Sequence, residues 1–226
     1  MARQHRLDLP GRAFHIMNRA VGRLQLFNNP QDYLLFLKVF RETWEVNPIT
    51  IYAYCVMPNH FHVLVRAQAE GDISRFMQRL ATTYTRRLHL KTGTVGGGPV
   101  FKGRYKSILV DDEFVFNTML RYVELNAVRG QLVSRAEEWE WGSAYARIKN
   151  DMAFAQILAE LPEEIPKSAD AYLEWLREDV EDQSIKQIRE SIKKGRPYGR
   201  PSWVELMAEE HNLAYTMRGQ GRPTIK

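Results

Sequence analysis

The fold prediction rests on VMPNHFHVLV, residues 56–65. This stretch continues the β-branched and aromatic run ITIYAYCVM, residues 49–57, across a Pro-Asn turn. Two apolar runs on either side of a short turn predict an antiparallel hairpin. Because side chains alternate across a strand, His60 and His62 should project to one face, while Phe61 points into the core on the other.

The two histidines form a candidate metal site. Two neutral imidazoles on one strand face can bind the same divalent cation, and an ordinary histidine pKa of about 6.5 leaves them mostly neutral at pH 7. Two ligands do not complete a site, so further ligands must come from another element. A pair of half-exposed, hydrated histidines is the commoner origin of a bare His-x-His pattern, and this alternative stays open.

A second candidate group lies in DDEFVFNTMLRYVELNAVRG, residues 111–130, which predicts one helix with an acidic start and a glycine stop. Tyr122 and Asn126 are four residues apart and share a face of that helix. An asparagine oxygen is a hard ligand suited to Mg²⁺ or Mn²⁺. A tyrosine can act as a nucleophile when its target is polarised. A core tyrosine with an exposed asparagine is the default explanation and stays open.

The order of the predicted elements indicates an α+β fold. Strands and helices follow one another as β-α-β-β-α-β-α, which fits an antiparallel sheet with helices packed on one face, in the ferredoxin-like or RRM-like arrangement. A C-terminal helical extension follows this unit. The predicted strands are residues 11–21, 49–57, 60–66 and 100–110, and the predicted helices are residues 29–46, 72–91 and 112–129.

Charge divides the chain into three segments. Residues 1–150 carry 21 Lys and Arg against 13 Asp and Glu, residues 151–182 carry 2 against 10, and residues 183–226 carry 9 against 4. We therefore predict a basic main domain, an acidic helical segment and a basic C-terminal extension, with a net charge of +5 for the whole chain.

The most basic part of the main domain is Ile73–Val110, which holds eight Lys and Arg, no acid and several aromatic residues. Such a mixture is typical of single-stranded polynucleotide binding, since phosphates attract cations and unpaired bases stack on aromatic rings. A solvated cationic face above core aromatics is the structural alternative, and it stays open.

The sequence also indicates the cellular compartment of the protein. No apolar run approaches the roughly 18 residues that a membrane helix needs, and the first residues lack the pattern of a secretory signal. The single cysteine, Cys55, cannot form an internal disulfide. We expect a cytoplasmic protein that has no membrane partner.

Three motifs together resemble a known family. MPNHFHVLV, GRYKSILV and RYVELNAVRG, in this order, are similar to the HUH single-tyrosine transposases, most closely the REP-associated tyrosine transposases of bacteria. The resemblance covers about residues 10–147. It implies the HUH endonuclease fold, with His60, His62 and Asn126 holding Mg²⁺ or Mn²⁺ and Tyr122 cleaving single-stranded DNA. Insertion-sequence members have Gln at the third ligand position, and the Asn here follows the REP-associated pattern.

The resemblance also implies the reaction and the partners. Tyr122 would form a 5′-phosphotyrosine link and release a 3′-hydroxyl that can rejoin DNA. The expected partners are single-stranded DNA and hairpins of repetitive extragenic palindromes, bound by a monomer or a homodimer in the bacterial cytoplasm. The residues expected to contact DNA are Arg104, Tyr105, Lys106 and Arg129, then Arg86 and Arg87 of the basic helix, and Arg19 and His15 of the first strand, for which core or surface roles stay open.

The C-terminal extension repeats Gly-Arg-Pro at residues 195–197, 199–201 and 221–223. Extended Arg-Pro segments can lie in a minor groove. The hypothesis is that residues 183–226 grip the duplex stem of a hairpin through Arg196 and Arg200. A helix stop followed by a disordered end is the alternative.

The sequence is also compatible with two other functions to different degrees. A catalytically silent regulator that binds repetitive palindromes would keep the fold without the reaction. An RNA-binding module of the recognition-motif type is disfavoured, because its K/R-G-F/Y-G/A-F-V-x-F/Y signature is missing.

Overall fold

Four strands, numbered β1 to β4 in chain order with the residue ranges given below, form one antiparallel sheet in the order β2-β3-β1-β4. The computed structural model describes residues 7–112, 114–178 and 180–217. The strands are β1 Ala13–Arg19, β2 Thr50–Met57, β3 His60–Arg66 and β4 Lys106–Val110. In the register of β1 and β3, Arg19 lies opposite His60, and Met17 lies opposite His62. The predicted hairpin and the predicted α+β fold are both confirmed.

Helices flank and follow the sheet. They are α1 Pro30–Val46, α2 Asp72–Thr92, α3 Phe116–Glu124, α4 Asn126–Arg129, α5 Ser143–Ile148, α6 Met152–Ala155, α7 Ala169–Arg177, α8 Asp182–Lys194, α9 Pro201–Glu210 and α10 Ala214–Met217. Helix α1 begins where the side chain of Asn29 accepts a hydrogen bond from the Asp32 amide. Helix α2 ends at Thr92, and the next residue, Gly93, has a φ of 68°, a left-handed conformation that favours glycine. None of the helices in the described ranges combines the length and apolar character needed to cross a bilayer.

Both faces of the sheet are covered. Helices α1 and α2 pack against the face that carries Phe14, Phe61 and Val63, and they form the predicted helical layer. Helices α3 and α8 pack against the opposite face, where Leu64 and Ile108 are buried, and α7 belongs to the same core. Helix α3 was expected on the same face as α1 and α2, and it lies in this second layer because the central strands are apolar on both faces. Helices α7 and α8 of the predicted C-terminal extension join the second core, whereas Met207 of α9 is buried in the first core.

Chain segments also cover the two sheet edges. At the β2 edge, the Val56 amide donates to the Trp141 carbonyl. At the β4 edge, the Tyr198 amide donates to the Leu109 carbonyl, and the Asp111 amide donates to the Tyr198 carbonyl. Because the sheet edges are hydrogen-bonded at these two places, another chain cannot add a strand there.

The predicted single helix over residues 112–129 is wrong in two respects. It begins only at Phe116, because the acids before it have other partners: Asp111 binds Arg200 and Asp112 accepts from the Ala13 amide. It is also interrupted at Leu125, between α3 and α4. Strand β4 is shorter than the predicted residues 100–110, since the preceding segment contains a glycine with a φ of 150°.

Candidate functional site

The His60 and His62 side chains lie on one face of β3, and Phe61 lies in the core on the other face. The two imidazole centroids are 5.0 Å apart, with the rings nearly perpendicular. His60 Nδ1 is 2.7 Å from Asn59 Oδ1. Because an amide oxygen only accepts, His60 carries its proton on Nδ1 and leaves Nε2 available for a cation. Residues from the turn and the strand therefore orient this ligand together.

Tyr122 reaches the same face of the sheet from α3. Its ring centroid lies 5.8 Å from that of His62 and 5.9 Å from that of His15, and both contacts are edge-on. Tyr122 is only 4% exposed. The structure thus brings together the predicted nucleophile and the predicted histidine pair, which are about 60 residues apart in sequence.

His15 occupies a different place from the one expected of a DNA contact. It is 1% exposed, and its Nε2 lies 2.8 Å from His62 Nδ1. A direct contact between His15 and DNA would require the side chain to leave this position. Its observed neighbours are His62 and Tyr122, so it belongs to the interior of the candidate site.

Asn126 is the first residue of α4 and is 9% exposed. Its Nδ2 donates to the Tyr122 carbonyl at 2.8 Å and approaches the Val123 carbonyl at 3.4 Å. A side chain that donates to the carbonyl four residues earlier competes with the helix ladder and bends it, which accounts for the break at Leu125. The amide oxygen is then the atom of Asn126 that could bind a cation.

Two arginines flank Tyr122. The Arg129 guanidinium lies over the Tyr122 ring, 4.5 Å from its centroid, and donates to the Tyr122 carbonyl. Arg189, on α8, forms a hydrogen bond with the Tyr122 side chain. Helix α8 is held on this face by Ile188 and Ile192, which are buried in the same core as α3.

Sequence reasoning missed Arg189. The residue lies in the segment assigned to DNA-stem binding, 67 positions from Tyr122. The apolar residues Ile188 and Ile192 are four apart, and this spacing does predict a helix face packed on the protein. It does not indicate which surface receives that face.

Electrostatics keep the three histidines neutral. Burial lowers the pKa of His15 to about 3, and burial together with Arg19 lowers the pKa of His60 to about 4. Burial, followed by the neighbouring histidines and arginines, also holds the pKa of His62 well below its usual value. Neutral imidazoles retain the lone pair that a metal ion requires.

Tyr122 experiences opposing influences. Burial raises the pKa of its phenol, while the positive charges of Arg129 and Arg189 act in the other direction. The net result is a pKa above the ordinary value of a tyrosine. The phenol is therefore protonated at neutral pH, and the two cations partly offset the cost of forming a phenolate.

The donor set fits a divalent cation only if ligands other than acids and histidines contribute. Within residues 7–112, 114–178 and 180–217, no group of three or more His, Cys, Asp or Glu side chains is arranged to hold a metal ion. His60 and His62 supply two neutral nitrogens. The amide oxygen of Asn126, solvent and a DNA phosphate are oxygen ligands of the kind that Mg²⁺ and Mn²⁺ prefer.

Some of the side chains expected to contact DNA are exposed, and others form ion pairs or hydrogen bonds within the protein. Arg86 and Arg104 are exposed, and Arg19 is half-buried beside His60. Arg87 forms an ion pair with Glu42 at 2.6 Å. Lys106 donates to carbonyls in the last turn of α8, at 3.1 and 3.3 Å.

Other expected contacts have structural partners. Tyr105 is buried, and its hydroxyl lies 3.2 Å from Ser74 Oγ, so its ring is not a free stacking surface. Arg200 pairs with the buried Asp111 at 2.9 Å. Arg196 follows α8 and is half-buried. The third Gly-Arg-Pro copy, at residues 221–223, lies outside the described residues.

Comparison with known protein families finds one family that matches the sequence of this chain. The family described as "Transposase IS200 like" matches residues 11–126, slightly more than half of the chain. The chain belongs to the IS200-like transposase family. The matched region of the transposase runs from β1 to Asn126, so it contains all four predicted catalytic and metal-binding positions. The predicted membership among tyrosine transposases is confirmed. No curated protein sequence matches the transposase.

Two solved structures are similar to this transposase. One is a REP-associated tyrosine transposase bound to a REP hairpin; it is 16% identical, covers 72% of this chain and 93% of its own, and has a TM-score of 0.55. The other is a candidate transposase from Deinococcus radiodurans R1, 20% identical, covering 55% of this chain and 95% of its own, with a TM-score of 0.39. At such identities the first likeness concerns the fold alone, and it confirms the predicted fold class.

Proposed function

We propose that the chain is a metal-dependent single-stranded DNA endonuclease and strand transferase that acts on REP-type hairpins through a 5′-phosphotyrosine intermediate. The observation that supports this proposal most directly is the contact between Tyr122 and His62, whose ring centroids are 5.8 Å apart. A tyrosine nucleophile needs a polarised phosphate beside it, and the histidine pair is the part of the site suited to hold the polarising cation.

The proposed cleavage step is a transesterification. The Tyr122 oxygen bonds to the scissile phosphorus, and the bond from phosphorus to the 3′ oxygen breaks. The proton lost by the phenol balances the proton gained by the leaving 3′-hydroxyl. One phosphodiester replaces another, so a later attack by a 3′-hydroxyl can release Tyr122 and join DNA without a nucleotide cofactor.

A bound Mg²⁺ or Mn²⁺ would supply Lewis-acid polarisation of the phosphate oxygens. His60 and His62 would hold it, with Asn126 as the third protein ligand. Arg129 and Arg189 would lower the cost of charge on the Tyr122 oxygen, since both cations lie beside that side chain.

The DNA is proposed to bind through basic side chains. Arg19 lies opposite His60 in the sheet, and Arg104 is exposed and accessible for phosphate contacts. Arg86 is also exposed, but it lies on α2, which packs on the face of the sheet opposite to His60 and His62. Single-stranded DNA and hairpins are the partners that this arrangement suits.

The test is a covalent adduct assay. A single-stranded REP hairpin with a dye at its 3′ end is incubated with the protein and Mn²⁺ or Mg²⁺, because a 5′-phosphotyrosine link retains the 3′ fragment on the protein. We expect a dye-labelled protein band that survives denaturant, needs the cation and disappears in Tyr122→Phe, while hairpin binding persists. An adduct that persists in Tyr122→Phe would assign the nucleophile to another residue.

A catalytically silent hairpin-binding regulator is the second candidate. The burial of Tyr122, which is 4% exposed and has a raised pKa, favours it. The same assay separates the two functions, because a silent binder retains the hairpin without forming an adduct under any metal condition.

A further inference from the structure

We propose that His15 is a positioning residue that fixes the tautomer and ring orientation of His62, so that His62 presents Nε2 to the cation. This inference rests on the proposed metal-dependent function. His15 was expected at the DNA surface, and its observed position instead makes it the hydrogen-bonding partner of a metal-ligand candidate.

The strand register brings the two rings together. His15 on β1 lies opposite Leu64 on β3, and His62 lies opposite Met17. His15 and His62 are therefore diagonal neighbours on one face, within reach of long side chains. Their ring centroids are 5.0 Å apart, His15 Nε2 is 2.8 Å from His62 Nδ1, and the two residues are 1% and 3% exposed.

A hydrogen bond between two neutral imidazoles permits two arrangements. If His15 donates from Nε2, His62 accepts at Nδ1 and carries its own proton on Nε2, so neither nitrogen of His62 can bind a cation. If His62 donates from Nδ1, His15 accepts at Nε2, and the lone pair of His62 Nε2 faces the site. Only the second arrangement is compatible with metal ligation, and it requires His15 to be a neutral acceptor protonated on Nδ1.

We assign the second arrangement because it alone leaves a nitrogen of His62 able to bind a cation. His15 and His62 are 1% and 3% exposed, so the hydrogen bond between the two rings is shielded from water. His60 shows the same pattern with an unambiguous acceptor, since its Nδ1 is bonded to the Asn59 side chain.

The test compares two substitutions of His15 in the full-length protein without DNA. His15→Leu removes the acceptor, whereas His15→Gln places an amide group near the position of Nε2 and its oxygen can accept from His62 Nδ1. We expect His15→Leu to weaken Mn²⁺ binding about 10–100-fold, the usual cost of losing an outer partner of a metal ligand. We expect His15→Gln to restore most of the affinity, measured by electron paramagnetic resonance titration.

Imidazole ¹⁵N NMR supplies a second readout. In the wild-type protein, with and without Mg²⁺, His62 should be protonated on Nδ1 and His15 unprotonated on Nε2. Detection of a proton on His15 Nε2 would overturn the inference. If the wild type binds Mn²⁺ measurably, an equal affinity in His15→Leu would also overturn it. Because the NMR assignment uses the wild-type protein, it decides the question even if His15→Leu fails to fold.

One control variant tests the specificity of the effect, and two outcomes separate this inference from the proposed function. His89→Leu removes a histidine in the last turn of α2, remote from the site in the sheet, and should leave Mn²⁺ affinity unchanged. If the wild type binds no Mn²⁺ while His62 is protonated on Nδ1, the metal-dependent function fails and the tautomer assignment survives. If the wild type binds Mn²⁺ but the His15 variants match it, the function survives and the role of His15 fails.

Discussion

The Arg129 guanidinium stacks over the Tyr122 ring at 4.5 Å and donates to the Tyr122 carbonyl oxygen, so one side chain connects α4 to both the aromatic ring and the backbone of α3. A cation over the face of a tyrosine stabilises the ring and favours its ionised form. The short helix α4 therefore brings a positive charge to the proposed nucleophile.

We expect Arg129→Gln to raise the pKa of Tyr122 further and to slow adduct formation about tenfold or more, because a nearby positive charge that favours the phenolate is lost. The pKa is measured by NMR titration of ¹³Cζ-labelled tyrosine, with the Tyr122 signal assigned from Tyr122→Phe. The adduct rate is measured with the dye-labelled hairpin.

Arg104→Gln is the matched control for this prediction. Arg104 is exposed and is expected to contact DNA, so its loss should weaken hairpin binding and leave the pKa of Tyr122 unchanged. If the two variants shifted the Tyr122 signal equally, the effect assigned to Arg129 would be a general consequence of net charge.

A second prediction concerns α8. We expect Arg189→Ala to raise the pKa of Tyr122, because the variant loses both a hydrogen bond and a positive charge at the phenol. Lys186→Ala removes one charge from an exposed position of the same helix and should leave that pKa where it is in the wild type. An unchanged Tyr122 titration in Arg189→Ala would show that α8 does not contact the nucleophile in solution.

Local sequence patterns predicted the parts of the site that depend on one element. Alternation along β3 placed His60 and His62 together, and the spacing of four correctly related Asn126 to Tyr122, although the contact is with the Tyr122 carbonyl. The break between α3 and α4 was not predictable, since it follows from a side chain that replaces a backbone donor.

Parts of the site that depend on register or on distant packing could not be derived in the same way. His15 meets His62 only because β1 pairs with β3 in one particular register. Arg189 reaches Tyr122 only because α8 packs on the second face of the sheet. Helical periodicity predicts that one face of α8 is buried, but it does not predict the surface against which that face packs. The exposure of Arg86 and Arg104 followed the basic pattern, whereas Tyr105 was buried by packing.

A third prediction concerns a buried carboxyl two residues after Tyr122. Glu124 is 3% exposed, accepts from Ser143 Oγ at 2.8 Å and from the Tyr172 hydroxyl at 2.9 Å, and so joins α3 to α5 and α7. Burial raises its pKa above the usual value of a glutamate. The folded protein therefore binds this proton more tightly than the unfolded chain, and the stability contributed by Glu124 falls as pH rises through the folded pKa.

Glu124→Gln removes that dependence while keeping the shape of the side chain. We expect the stability of the variant relative to wild type to increase as pH rises from 4 to 8, measured by urea unfolding at several pH values. Glu163→Gln, at an exposed position of the acidic segment, should show no such trend. A difference between Glu124→Gln and wild type that stays constant with pH would contradict the raised pKa.

The last prediction concerns the segment that covers the edge of β4. The Asp111 side chain is 2% exposed and is paired with Arg200, so Arg200→Ala leaves a buried carboxylate without this partner and should cost about 1–3 kcal/mol of unfolding free energy. Gly199→Ala should also destabilise, because an added Cβ would meet Asp111 Cβ and come within 2.8 Å of the Trp203 ring. Ser202→Ala, exposed at the start of α9, is the control and should be neutral.

Urea unfolding measures the stability of the wild type and Arg200→Ala, and hairpin titration at a temperature where both proteins are folded measures their affinity for DNA. If Arg200→Ala left stability unchanged and weakened hairpin binding, Arg200 would belong to the DNA interface as the Gly-Arg-Pro repeat suggested, and its ion pair with Asp111 would not anchor the segment.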